Sequence, residues 1–171
     1  MPSSWQDSLR RNLAQSKGGT RLPRTCLVGV GSDLRGDDSA GLWVARALLQ
    51  DGRVARAERL LIVEGGPAPE NHTGQLRAFR PELVLLVDAA HLDEPPGTIQ
   101  WIPLDAIDGM SASSHSLPLS MLARYLTLEL SCDVAIIGIQ PAQNELDSAL
   151  SAPVQAAVEE IVGWVGEMLL P

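Results

Sequence analysis

Residues 25–50 read TCLVGVGSDLRGDDSAGLWVARALLQ. An apolar run of strand length, Thr25–Val30, breaks at a glycine-rich turn, and a helical apolar period follows from Leu42 to Gln50. Strand, tight turn and helix form the repeating unit of an α/β sheet. The turn itself, GVGSDLRGDDSAG (29–41), has the outline of a phosphate loop but the wrong charge. A dinucleotide fingerprint needs GxGxxG, and Leu34 stands at its third glycine position. A Walker A loop needs lysine after the glycine pair; Gly31 and Gly36 have that spacing, but Asp37 and Asp38 follow. Two carboxylates at a helix start repel phosphate and compete for the N–H groups that would cradle it. Both nucleotide readings are excluded on that ground.

Outward from this unit the alternation continues. Leu60–Gly66 (LLIVEGG) reads as a second buried strand, and Pro69–Phe79 as a proline-led helical turn. Glu82–Ala90 (ELVLLVDAA) is the strongest strand signal in the chain. Thr98–Ile102 (TIQWI) follows after the turn Pro95-Pro96-Gly97. That gap is too short for a crossover helix, so this strand is expected to run antiparallel at an edge. Leu117–Leu130 reads as a broadly apolar helix with Pro118 in its first turn, Cys132–Ile139 as a fifth strand, and Pro153–Leu169 as a closing helix. Val154, Val158, Ile161, Val165 and Leu169 form one stripe on that last helix. Continuous apolar strands alternating with helices predict a three-layer α/β/α sandwich. Its sheet should be five-stranded, twisted and mostly parallel, with one antiparallel edge strand.

This α/β domain is expected to span residues 25–171. Residues 1–24 are expected to form an N-terminal helical arm. There Trp5, Leu9 and Leu13 recur at helical spacing behind the potential caps Ser3 and Ser4, and Gly18-Gly19 would end the helix. The arm reads as an appendage.

The totals limit the functional classes. A chain of 171 residues, 45% hydrophobic and 20% charged, is ordinary for one globular domain. A net charge of -8 argues against nucleic acid or an anionic membrane as partner, and it is compatible with cations. No apolar run has membrane-spanning length, and the N-terminus lacks the apolar core of a signal peptide, so a cytoplasmic location is expected. The two cysteines, Cys26 and Cys132, lie in apolar strand-like runs and read as buried thiols.

Ligands of α/β sheets bind beyond the carboxyl ends of the strands. The predicted topology brings three chemistry-bearing residues to that edge: Asp38 after strand one, Asp88 at the end of strand three, and His115 in SSHS (113–116) before the next helix. Each has a plainer reading. Asp37 and Asp38 suit helix capping, Asp88 an Asx-type turn at a strand exit, and His115 a surface loop, the reading also given to His72 and His91. Taken together, two carboxylates and an imidazole make a sound donor set for a borderline divalent ion such as nickel or zinc.

Five stretches, GVGSDLRGDDSAG, EGGPAPEN, LLVDAA, SSHSLPL and IIGIQP, carry a resemblance in their order and spacing. From about Cys26 to Trp164 the chain resembles the hydrogenase maturation endopeptidases, in particular those serving hydrogenases of the formate-hydrogenlyase (hydrogenase 3) type. The resemblance implies an endopeptidase that removes the C-terminal extension from the large-subunit precursor of a nickel–iron hydrogenase once nickel has been inserted. It further implies that Asp38, Asp88 and His115 contact the metal, with Asp38 as the residue closest to the chemistry. Nickel would be supplied by the substrate, and other divalent cations can occupy such a site. The implied partner is the large-subunit precursor, with no nucleic acid and no membrane. The aspartic-peptidase label sometimes given to such enzymes fits loosely, because Asp37 and Asp38 are neighbours on one turn and no Ser–His or Cys–His pair is readable. Ser32 stands where the family usually has Asn, Ser39 where it has Gly, and Asp33 adds an acid. Two alternatives stay open. One is a non-catalytic nickel-binding accessory protein or metallochaperone using the same ligands; the other is a peptidase of the same fold with a different substrate.

Overall fold

A computed structural model describes residues 4–15, 20–107 and 118–170. Five strands form one sheet: β1 (Thr25–Val30), β2 (Leu60–Gly66), β3 (Leu83–Ala89), β4 (Ile99–Pro103) and β5 (Asp133–Ile139). Their spatial order is β2-β1-β3-β5-β4. The pairs β1/β2, β1/β3 and β3/β5 are parallel, and β4 closes one edge antiparallel to β5. This is the expected architecture. The central strands β1 and β3 are buried along their whole length, which is why they read as unbroken apolar runs rather than as alternations.

Among the described residues five helices cover the sheet: α1 (Trp5–Ala14), α2 (Ala40–Leu49), α3 (Thr73–Phe79), α4 (Leu119–Leu130) and α5 (Ala152–Leu169). Strand residues alternate between two cores. Leu27, Leu85, Val87, Ile137 and Ile139 pack with α1, α2 and α5. Val28, Val84, Leu86, Val134 and Ile136 pack with α3 and α4. The period of two along each strand sorts its side chains between the layers. On α4, the buried Leu119, Leu122, Ala123 and Leu126 repeat at three- and four-residue spacing, which turns one stripe toward the sheet. Ser131 then ends that helix in the left-handed conformation, φ 51°.

The expected elements need small adjustments. The second helix begins at Ala40, led in by a single 3-10 turn over Gly36–Ser39. The proline-led turn at Pro69–His72 is also 3-10 and runs on into α3. The first helix ends at Ala14, not at Gly18-Gly19, which lie outside the described residues. Its last apolar anchor is Leu13, and the Gln15 N–H closes the final turn on the Arg11 carbonyl. Ser4 caps it as expected, accepting from the Asp7 N–H at 3.2 Å.

This helix is no appendage. Trp5, Leu9 and Leu13 are buried in the same core cluster as α2 and α5. Trp5 stacks edge-on against Trp164 of α5, with ring centroids 5.8 Å apart, and donates its indole N–H to Glu160 at 3.0 Å. Arg10 lies 4.4 Å over the Trp164 ring. The apolar side of an amphipathic helix has to be covered by something, and here the cover is the edge strand β4 together with α5.

Candidate functional site

The strand order fixes where a site can form. From β1 the chain passes through α2 to β2 on one side, then returns to lay β3 on the other side of β1. The crevice outside the carboxyl ends of β1 and β3 is therefore the topological switch point, the usual ligand position in open α/β sheets. The glycine loop leaves β1 there, and Asp88 lies in the last turn of pleat of β3, paired in register with Gly138 of β5.

Two glycines let the loop and helix sit tightly on this crevice. Gly31 has φ +135°, and a Cβ on it would fall 1.8 Å from the Asp38 carbonyl oxygen. A Cβ on Gly41, in the first turn of α2, would fall 1.9 Å from the Val87 carbonyl oxygen and 2.5 Å from that of Val30. Both obstacles are backbone, so any larger residue forces the helix start away from the strand ends. The result is that the 3-10 turn carrying Asp37 and Asp38 rests on the switch point.

The two aspartates are then used differently. Asp37 is fully buried. Its Oδ2 accepts from the N–H groups of Ala142 and Gln143 at 2.8 and 3.1 Å and from the Ser151 hydroxyl at 2.8 Å; its Oδ1 accepts from the Ser151 N–H at 2.7 Å. The Asp37 N–H in turn donates to the Gln143 carbonyl at 3.1 Å. This carboxylate does not cap the helix that follows it. Capping was the local reading, but the donors come from a segment more than a hundred residues away, and such acceptors leave no mark in nearby sequence. Asp38 is 8% exposed, and among the described residues its carboxylate takes one hydrogen bond, from the Ser32 N–H at 3.1 Å. Ser32 thus orients Asp38 through its backbone, while its hydroxyl accepts from the Leu34 N–H at 3.3 Å.

Asp88 is 2% exposed and has the strand parity of Val84 and Leu86, whose side chains lie in the core under α3 and α4. A carboxylate at such depth requires hydrogen bonds, a counter-charge or a metal. His115 lies outside the described residues. The described chain resumes at Pro118, whose carbonyl starts α4. Among the described residues no three His, Cys, Asp or Glu side chains form a metal-holding group. Asp38 and Asp88 are two buried carboxylates on the elements that border the switch point.

The extra acid of the loop has a structural partner. Asp33 and Glu64, from the end of β2, both engage Arg46 of α2, at 3.2 and 3.0 Å. The hydrogen bond to Glu64 foremost raises the Arg46 pKa further above its already high value. These groups are partly exposed, so the triad is worth little in stability but fixes the outer side of the loop. A separate cleft of about 480 Å³ opens at the opposite, amino end of the sheet, between Arg80, Glu82, Ser131 and Asp133. It lies at the other end of the sheet from the buried Asp37, Asp38 and Asp88, and the chemistry of the switch point outweighs its size.

Comparison with known proteins agrees with this fold. The sequence profile of the family described as "Hydrogenase maturation protease" matches residues 44–167. The "Hydrogenase 3 maturation protease" of Escherichia coli strain K12 is 32% identical over 145 residues, covering 82% of this chain and 90% of that protein. Among solved structures, the [NiFe] hydrogenase maturation protease HycI from Thermococcus kodakarensis KOD1 superposes with a TM-score of 0.80 at 30% identity, over 94% of this chain and 98% of that one. The endopeptidase HycI from Escherichia coli superposes with a TM-score of 0.70 at 32% identity, over 83% and 91% of the two chains.

Proposed function

The chain belongs to the hydrogenase maturation protease family, and from that premise we propose that it cleaves the C-terminal extension from the large-subunit precursor of a nickel–iron hydrogenase after nickel insertion, using Asp38, Asp88 and His115 to recognise the bound nickel. The single observation that carries this reading is the pair of buried carboxylates at the switch point, Asp38 on the loop after β1 and Asp88 at the end of β3. The fully engaged Asp37 beside them narrows the choice to one aspartate of the tandem. A carboxylate pair completed by an imidazole suits a borderline divalent ion, and nickel arrives as part of the substrate.

Docking of the loaded metal centre on these side chains would certify nickel insertion and bring the scissile peptide to the loop. Asp38 then serves as general base: it takes a proton from a water whose oxygen attacks the scissile carbonyl and returns that proton to the departing amine as the C–N bond breaks. A shared-proton aspartate dyad is not needed. The Asp37 carboxylate faces Ala142, Gln143 and Ser151, and that of Asp38 faces Ser32, so the two do not oppose one another.

The test is a four-arm incubation of nickel-loaded and nickel-free precursor with wild type and Asp38→Asn. The reading expects cleavage of loaded precursor by the wild type alone, and equal cleavage in all arms would contradict it. Stoichiometric nickel on the purified protein with no cleavage would instead support a metallochaperone with the same ligands. Among the described residues no helix is long and apolar enough to cross a membrane.

A further inference from the structure

The segment from Ala142 to Ser151 has no place in the mechanism above, yet it is tied to the glycine loop at every level. Asp37 holds it through the four hydrogen bonds to its carboxylate and one from its own N–H to Gln143. The Gln143 side chain lies against Gly36, where a Cβ would fall 2.5 Å from its Oε1. That same side chain accepts from the Glu145 N–H at 2.9 Å and donates to the Ala149 carbonyl at 3.0 Å, bracing the segment internally. Farther out, the Asp147 N–H donates to the Leu34 carbonyl at 3.0 Å. Loop and segment thus form one two-ply wall beside Asp38.

Two features mark this wall as more than packing. Ser151 occupies the N-cap position of α5 but does not cap it; its hydroxyl donates to Asp37 instead. A serine there ordinarily stabilises the helix it precedes, and that contribution has been diverted to hold the wall. Then each ply carries one exposed leucine on a rim that is otherwise mostly polar, with Asp33, Arg35, Asn144, Glu145 and Asp147 also exposed. Leu34 is 61% exposed and Leu146 is 62% exposed, one from each ply, and the Asp147–Leu34 backbone bond joins the plies at this level. Both leucines belong to the plies that flank the candidate site.

We propose that Asp37 is a positioning residue, holding the 142–151 segment as a fixed wall of the cleavage site on which Leu34 and Leu146 receive apolar side chains of the precursor's cleavage segment. The inference rests on the peptidase reading and adds to it the surface that selects the peptide. The occupant is the precursor because the rim is continuous with the site: Leu34 lies four residues before Asp38 on the same loop, and Asp37 adjoins it. Asparagine at position 37 keeps the shape but turns an NH2 group toward donors, leaving at least one of the Ala142, Gln143 or Ser151 groups without an acceptor.

The experiment compares wild type, Asp37→Asn and the double variant Leu34→Ser/Leu146→Ser on nickel-loaded large-subunit precursor. It records KM and kcat separately, together with amide hydrogen exchange and melting temperature. The double variant alters exposed side chains only. It is expected to melt with the wild type while KM rises about tenfold or more with kcat little changed, because binding surface common to ground and transition states has been removed. Asp37→Asn is expected to accelerate exchange at Ala142, Gln143 and Ser151 selectively and to raise KM likewise. A double variant with wild-type KM overturns the proposal even where Asp37→Asn fails to fold. So does an Asp37→Asn protein in which exchange at those amides and KM are both unchanged. Failure of the wild type to cleave any loaded precursor removes the peptidase reading and this proposal with it, whereas cleavage by the wild type with no KM effect removes the wall alone.

Discussion

Replacing Gly41 by alanine tests whether the crevice depends on close approach of α2. Alanine is the better helix former, and in an open helix position the change gains roughly 0.5–1 kcal/mol. At Gly41 the added methyl would meet two carbonyl oxygens, Val87 O at 1.9 Å and Val30 O at 2.5 Å. Real Cβ atoms essentially never come closer than 3.0 Å, so the helix start must retreat by about 1 Å from backbone that belongs to the two central strands. Overpacking of this kind costs about 1–3 kcal/mol and occasionally more, and the rigid obstacle puts Gly41→Ala at the upper end. After the propensity gain, the net loss is about 2 kcal/mol, or a fall of roughly 4–8 °C in Tm for a chain of this size. Function should suffer more than stability. The retreating segment carries Asp38, and a 1 Å misplacement at a reaction centre costs about 100-fold in rate. Gly163, exposed on α5 with nothing near its missing Cβ, is the control: Gly163→Ala should raise Tm by about 1–4 °C and leave cleavage untouched. Melting curves and precursor-cleavage rates for the two variants decide the matter. A Gly41→Ala protein as stable and active as Gly163→Ala would refute the close-approach argument.

Two further outcomes follow from the fold. Trp5→Ala removes a buried ring and the partner of Trp164. A loss of about 3 kcal/mol, seen as a fall of roughly 6–12 °C in Tm, is expected, and an unchanged melt would mean that α1 is not part of the core. Burial pushes the Cys26 thiol far up, helped by Cys132, and burial with the nearby Asp133 pushes Cys132 up to about 11. Their folded pKa values lie above the unfolded ones. Stability from this source is therefore intact below pH 9 and is lost above it, where only the unfolded chain releases the protons, at about 1.4 kcal/mol per pH unit per thiol. Denaturant titrations between pH 8 and about 10.5 should show the decline, and alkylation at pH 8 should be slow until denaturant is added; fast alkylation of the native protein would contradict the burial.

How much of this was legible beforehand depended on how local the cause was. The limits of β1 and β2 follow from apolar runs that stop at glycine, and they agree residue for residue with the expected strands. The antiparallel edge strand was fixed by the short Pro-Pro-Gly connection. Strand order carries no such local mark, so the switch point between β1 and β3 emerges only in three dimensions. The N-terminal helix was visible as a helix but not as core, because periodicity gives an apolar face without saying what covers it. Asp37 is the sharpest case. Its neighbours suggested a cap, and its partners at 142–151 lie across the whole fold. The hint within the sequence was the pair itself, since one aspartate suffices for a turn and the second needs another task. Asp38 and Asp88 stand out in the sequence because strand ends in α/β sheets are where ligands bind, and the structure buries both carboxylates at that edge.

The central claim is that Asp38, Asp88 and His115 converge on the nickel of the precursor. Anomalous diffraction at the nickel edge, from crystals of the protein soaked in Ni2+, tests it most directly. The account predicts one ion at the carboxyl ends of β1 and β3, at about 2 Å from an oxygen of Asp38, an oxygen of Asp88 and a ring nitrogen of His115. It also predicts loss of that peak in Asp38→Asn crystals. Nickel bound elsewhere with this crevice empty, or the same peak undiminished in the variant, would contradict it.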